Sequence, residues 1–268
     1  MSRLTVPCLG ESKRQGRRIV SVTAYDSTFA ALLDRAGVEL LLVGDSLGMV
    51  IQGQETTLPV TLDEMIYHTR AVMRGSQRAL VVCDLPFGSF QSGPQEALAS
   101  AVRVFKESGC QAVKLEGGVR MADSIALLVE HGLPVIGHVG LTPQSVHAMG
   151  GFKIQGRGET AAERVLADAR AVAEAGACAI VLEGMPAPLA RRITESIPIP
   201  TIGIGAGAGC DGQVLVLYDL LGLFEGMNTP RFVKQYLDGS TLVRRAVEEY
   251  AREVREGLFP GPEHAFQE

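Results

Sequence analysis

The chain has no tryptophan, and aromatic residues make up only 5% of its 268 residues, so no aromatic cage for a flat ring system is evident. Cysteine is sparse too. The five, Cys8, Cys83, Cys110, Cys178 and Cys210, are odd in number and show no CxxC spacing, which excludes a disulfide frame and a zinc site of the usual kind. They read as small core residues. No apolar run is long enough to cross a bilayer, and the N-terminal MSRLTVPCLGESKRQG lacks the apolar core of a signal peptide, so a cytoplasmic location is expected. The net charge is a modest −5 and the basic residues are scattered, apart from Lys13, Arg14, Arg17 and Arg18. Nucleic acid is not expected as a partner.

What is present is a repeating order. Short β-rich runs alternate with longer helical patterns: RIVSVTAYD (Arg18 to Asp26), ELLLVGD (Glu39 to Asp45), ALVVCD (Ala79 to Asp84), AVKLE (Ala112 to Glu116), PVIGHVG (Pro134 to Gly140), CAIVLE (Cys178 to Glu183), TIGIGAG (Thr201 to Gly207) and QVLVL (Gln213 to Leu217). Helices are expected over Ser27 to Arg35, Leu62 to Arg74, Pro94 to Ser108, Gly118 to His131, Ala161 to Ala175 and Pro188 to Glu195, where apolar residues recur at i, i+3 and i+4. Gly37, Gly75, Gly109, Gly132 and Gly176 stand where C-caps belong. The alternation suits a (β/α)8 TIM barrel of ordinary size. A doubly wound open sheet would alternate in the same way. It would, however, concentrate its site at one switch point, and no GxGxxG follows the first strand. We expect one barrel domain over residues 1–268 with a C-terminal helical extension, whose helix from Ser240 to Glu256 has an apolar face.

Four apolar runs end in a carboxylate, at Asp45, Asp84, Glu116 and Glu183, and a fifth ends at His138. Parallel barrel strands all point one way, so these ends converge on one face. An acid at a strand end can also be a simple helix N-cap. Four together, two of them after wholly apolar or glycine runs, are harder to explain that way, because a buried charge is costly unless paired or metal-bound. Lys114 precedes Glu116 by two residues and therefore faces the same way. Clustered carboxylates suit Mg²⁺, and a lysine beside them suits an anionic substrate group. His138 reads either as a satisfied core histidine or as a substrate contact, and its neighbours favour the second. His68, His131 and His264 read as structural or solvent-facing, and His147 as a weak candidate. The run Gly203 to Gly209 lacks the Lys-Ser/Thr of a P-loop and reads as a tight turn. LTPQSVHAMGGFKIQGRG (Leu141 to Gly158) is too long for a simple βα turn and reads as an active-site loop or lid.

The segments VTAYDS, LLLVGDSLGMV, TTLPVTLDEMIYHTRAV, VVCDLPFGSF, AVKLEGG, GHVGLTPQSV, GGFKIQGR, IVLEGMP and IPTIGIGAGAGCDGQVLVLYDLLGLF together closely resemble the 3-methyl-2-oxobutanoate (ketopantoate) hydroxymethyltransferase family, from about Val20 to the C-terminal FPGPEHAF. The resemblance implies a barrel of the phosphoenolpyruvate/pyruvate type that transfers a one-carbon unit from 5,10-methylenetetrahydrofolate to 3-methyl-2-oxobutanoate on the pantothenate pathway, usually with Mg²⁺. It also implies a homo-oligomer, commonly a decamer. Carried onto matching positions, it implies Asp45 and Asp84 as metal and substrate contacts and Glu116 as a metal ligand, directly or through water. Ser46, Lys114 and His138 become keto-acid contacts and Glu183 the catalytic base. A local departure is Gly184-Met185, where the family more often has a small or cysteine residue and then valine.

The residue types make chemical sense of this reading. A cation on the ketone oxygen acidifies the neighbouring C3 hydrogen, and a carboxylate on a different strand can remove it. The alternative within enzymes is a lyase or mutase of the same barrel type, although such sites often carry a cysteine on a mobile loop and none lies between Leu141 and Gly158. The alternative from another class is a barrel that only binds a keto acid, which has no need of a separate base.

Overall fold

A computed structural model of the chain describes residues 3–224 and 229–266. It has two compact units, Met1–Val216 and Leu217–Glu268. In the first, eight parallel strands close into a barrel in sequence order: β1 (Ile19–Thr23), β2 (Leu40–Val43), β3 (Leu80–Asp84), β4 (Ala112–Glu116), β5 (Val135–Gly140), β6 (Ala179–Glu183), β7 (Thr201–Ile204) and β8 (Gly212–Leu215). Closure is through β8 and β1, where Ser21 stands opposite Val214. The expected barrel is therefore present and the open sheet is excluded.

The barrel interior is filled from alternate strand positions. Ile19, Leu40, Leu42, Leu80, Val82, Ala112, Ile136, Ala179, Val181, Ile202 and Val214 form one buried cluster. Continuing the same two-residue period brings β3 from Leu80 and Val82 to Asp84, β4 from Ala112 to Lys114 and Glu116, β5 from Ile136 to His138, and β6 from Ala179 and Val181 to Glu183. The register that packs the core thus also turns these polar side chains inward at the C-terminal rim.

The strand ends shorten relative to expectation where a polar residue has another task. β1 stops at Thr23, and Asp26 caps the helix Ser27–Arg35 by accepting from Phe29 N at 2.9 Å. A helix not read from the sequence, Pro7–Arg14, sends Leu9 into the barrel cluster, with Leu4 and Val6 packed beside it. Its polar composition hides it from a periodicity search. The helix expected from Gly118 begins instead as a 3₁₀ turn, Val119–Met121, and continues as Ala122–Glu130. Gly109 is a left-handed C-cap, as expected. Gly75 is not: it is the last residue of the helix Leu62–Gly75, and a Cβ there would lie 2.1 Å from Ser27 O, so glycine permits a close helix approach.

No helix lies between β7 and β8. Residues 205–211 make the parallel crossover alone, well below the dozen or so residues such a connection usually takes. Gly205 and Gly207 have positive φ, and a Cβ on Gly207 would sit 2.5 Å from that of Ala187, so the run is a tight turn pressed against the helix Ala187–Ser196 that precedes β7. The second unit contains Leu217–Leu220 and the helix Gly239–Glu256, on which Leu242, Val243, Val247, Tyr250 and Val254 are exposed. Among the described residues no helix is long and apolar enough to cross a membrane. All five cysteines are free, with Cys83, Cys110 and Cys210 buried.

Candidate active site

The structure brings every residue singled out at the strand ends to one rim. Register sets Asp84 opposite Lys114, and Glu116 opposite His138. Lys114 Nζ lies 2.5 Å from Asp84 Oδ1, both side chains being almost wholly buried. That oxygen nevertheless has no aligned hydrogen-bond donor. Asp84 Oδ2 accepts from Asp45 N at 3.3 Å, which seats the β2 carboxylate beside the β3 one. Glu116 Oε1 lies 3.5 Å from His138 Nδ1, and Glu183 Oε2 lies 3.1 Å from His138 Nε2. His138 Nε2 is buried yet also lacks an aligned partner. Glu183 alone of the four acids keeps appreciable solvent access, with 17% of its side chain exposed.

Burial and mutual charge tune these groups. Asp45 is pushed up to about 8, first by burial and then by the neighbouring carboxylates of Asp84 and Glu116, with Lys114 and Gln144 opposing. Burial likewise raises Asp84, against the pull of Lys114. For Lys114, burial disfavours the ammonium, but Asp84, Glu116 and Asp45 outweigh it and hold the group above its ordinary value. His138 follows the same logic: burial and Lys114, 3.2 Å from Nδ1, lower it, while Glu116 and Glu183 overcome both and lift it to about 9.

Ser46 lies one residue beyond Asp45 at the start of the short helix Leu47–Val50, and its Oγ is 2.9 Å from Tyr25 Oη. The tyrosine was not singled out in the sequence, nor was Gln144, which knits the rim together. Gln144 Nε2 donates to Asp45 Oδ2 and to Leu85 O, both at 2.9 Å. Its backbone N donates to Glu116 Oε2 at 3.0 Å, and its Oε1 accepts from Gln91 Nε2 at 3.0 Å. It belongs to the segment read as a loop or lid, which contains a 3₁₀ turn (Pro143–Ser145) and a short helix (Val146–Met149). The one signal in sequence was its place directly after Thr142-Pro143 in that loop. His147 is exposed, and His68 is structural, with Nδ1 2.7 Å from Tyr25 O.

Among the described residues, no three or more His, Cys, Asp or Glu side chains form a ready-made metal cage. The charge count still suits a divalent cation. Four carboxylates (Asp45, Asp84, Glu116, Glu183) face two basic groups (Lys114, His138), so acids are in excess at the rim. Mg²⁺ typically takes one or two carboxylates and keeps water and substrate oxygens for the rest, which Asp45 and Asp84 can provide.

A closed (β/α)8 barrel whose C-terminal rim gathers four acids, a buried lysine and a buried histidine has the architecture of a barrel enzyme. The backbone superposes on phosphonopyruvate hydrolase, solved with oxalate and Mg²⁺, at a TM-score of 0.62 over 97% of this chain and 93% of that one. It matches 2,3-dimethylmalate lyase at 0.62 over 98% and 92%. At 14% and 17% identity these likenesses concern the fold. The sequence is more specific. The chain belongs to the ketopantoate hydroxymethyltransferase family, whose profile matches residues 3–262. It is 62% identical to the 3-methyl-2-oxobutanoate hydroxymethyltransferase of Magnetococcus marinus, over 99% of this chain and 98% of that protein. It is 56% identical to that of Ralstonia pickettii, over 98% and 96%. The family and fold expected from the sequence are both borne out, and the chain is a transferase, not a lyase or a mere binding barrel.

Proposed function

We propose that this barrel transfers a hydroxymethyl group from 5,10-methylenetetrahydrofolate to 3-methyl-2-oxobutanoate, giving ketopantoate, with the rim residues in distinct roles. The observation that carries the assignment of roles is the separation of the acids: Asp45 and Asp84 share a buried corner with Lys114, while Glu183 stands on β6 across His138 and reaches solvent. Asp45 and Asp84 would hold Mg²⁺, with Glu116 completing its surroundings directly or through water. Bound there, the cation would supply Lewis acidity to the ketone oxygen. Lys114 holds the substrate's anionic group as a fixed charge. Ser46 offers its hydroxyl and backbone N–H, and His138 a ring N–H, to the keto acid's oxygens. Glu183 takes the C3 proton, its carboxylate being free of any aligned hydrogen bond from His138. Water adds to the folate's methylene carbon, both C–N bonds break with protons passing to the nitrogens, and tetrahydrofolate leaves a formaldehyde unit. The enolate carbon adds to that carbonyl carbon, and the alkoxide formed takes the proton held by Glu183 to become the hydroxymethyl group.

On the same reading residues 217–268 extend a single barrel domain, and the enzyme works in the cytoplasm as a homo-oligomer, for which a decamer is the expectation. Light scattering tests the assembly. Product formation from the two substrates, with and without Mg²⁺, tests the reaction: an enzyme that forms no ketopantoate with the cation present overturns it.

A further inference from the structure

The acid cluster does not account for all the space at the rim. A cavity of about 1050 Å³ opens beside it, bounded at its buried end by Glu116 and Gln144. That volume lies at the upper end of the roughly 300–1000 Å³ typical of sites for drug-sized ligands, and is far more than a short branched keto acid fills. Its walls change character along their length. Phe87, Met121 and Met149 give it an apolar side, with Phe87 47% exposed. Arg120 and Arg164 line it too, and both are solvent-exposed, which puts them at the open end. Among the described residues neither guanidinium has a hydrogen-bond or ion-pair partner.

Arg120 is carried by a well-fixed turn. It follows Glu116 by four residues, and the turn is pinned where Val119 N donates to Asp168 Oδ1 at 2.9 Å. Gly118 permits this approach, since a Cβ there would overlap the Asp168 side chain at 2.1 Å. Arg164 comes from the helix Glu159–Glu174, the same element that supplies Asp168. Two unpaired cations are therefore held on rigid elements facing one cavity, and such pairs are suited to carboxylates.

We infer that this cavity is the binding site of the one-carbon donor, an elongated ligand with a reactive heteroaromatic head, a flat apolar middle and a carboxylate tail, and that Arg120 and Arg164 bind the tail. The head lies at the Glu116 and Gln144 end, next to the keto acid. The ring system packs on Phe87, Met121 and Met149. The inference rests on the reaction proposed above, and it adds the donor's site and orientation to it.

The test separates the two. Arg120→Ala, Arg164→Ala and the double variant are compared with wild type in two assays: C3 proton exchange of 3-methyl-2-oxobutanoate with Mg²⁺ and no folate, and full turnover with varied 5,10-methylenetetrahydrofolate. Exchange is expected to be unchanged in all three, which also shows that they fold. The KM for the donor should rise roughly ten-fold or more in the double variant, as befits lost charge-assisted contacts, while the KM for the keto acid stays put. Ala148→Trp, which adds bulk to the cavity wall, should block turnover and leave exchange intact. If the donor KM is unmoved in the double variant and Ala148→Trp turns over normally, the donor binds elsewhere. Absence of exchange in wild type would instead overturn the reaction itself.

Discussion

Gln144 Nε2 lies 2.9 Å from Asp45 Oδ2, while the backbone N–H of the same residue donates to Glu116 Oε2 at 3.0 Å. One residue of the β5 loop therefore orients two of the acids assigned to the metal corner. Supporting contacts of this kind typically matter about 10–100-fold to metal affinity or activity. Gln144→Ala is expected to weaken Mg²⁺-dependent keto-acid binding by about that factor. Gln144→Glu should weaken it too, since a further carboxylate beside Asp45 has no N–H to donate. Calorimetric titration of keto acid with Mg²⁺ present reads the effect, and wild-type affinity in both variants would remove Gln144 from the site.

Glu183→Gln keeps the size of the side chain and removes the base. Exchange at C3, followed by NMR in deuterated water, should fall by about 10²–10⁴-fold, with keto-acid binding retained. Undiminished exchange would sink the assignment of Glu183.

Asp45 and Asp84, the two acids proposed to hold Mg²⁺, should respond oppositely in stability. Asp84→Ala leaves Lys114 buried, 4% exposed, without its nearest counter-charge. Breaking a buried pair in this way typically costs about 3–5 kcal/mol. Asp45→Asn instead removes a carboxylate that burial and its neighbours already disfavour. In chelator, denaturant unfolding should show Asp84→Ala strongly destabilised and Asp45→Asn at least as stable as wild type, though unable to bind keto acid with Mg²⁺. Equal losses in both would contradict the charge pattern described.

Asp34 supplies a pH-dependent stability term away from the site. Burial alone would raise its pKa, but the backbone N–H groups of Ala79, Gln77 and Arg78 and the Ser76 hydroxyl hold it below the ordinary value. A depressed carboxylate contributes stability above its unfolded pKa of about 3.9, and the contribution disappears as pH falls through the lower folded value. Asp34→Ala should therefore lower Tm at pH 7 by more than at pH 3. A Tm difference independent of pH would mean that the carboxylate charge is not what matters.

Gly75→Ala probes the helix approach. The added methyl would meet Ser27 O at 2.1 Å, so the usual gain from replacing a helical glycine should be reversed, with a net loss of about 1–3 kcal/mol from overpacking. Denaturant melts measure it, and a stabilised variant would show that the two helices can part at little cost.

The acids were legible in the sequence because barrel strands repeat every two residues and run parallel: the periodicity that identifies Leu80 and Val82 as core also aims Asp84. Lys114 was legible for the same reason, two residues before Glu116. Gln144 was not, because it acts from a loop outside the strand pattern, and Tyr25, though on the inward period of Ile19, Ser21 and Thr23, carries no charge to mark it. A loop that folds back across the rim leaves no periodic mark. The helix Pro7–Arg14 escaped because only Leu9 and its neighbours, not a full stripe, touch the barrel. The bare crossover between β7 and β8 was half legible: glycine content announced a turn, but a seven-residue parallel link depends on Gly207 resting on Ala187, a contact between distant parts of the chain.

The β5 loop is fastened to the rim by Gln144, which donates to Asp45, Leu85 and Glu116 and accepts from Gln91, two of these partners being acids that also carry the site's negative charge. Whatever neutralises those acids weakens them as acceptors, and whatever pulls them toward an incoming group pulls Gln144 with them. The two carboxylates that hold this loop in place are thus the same two that shape the acid corner of the site.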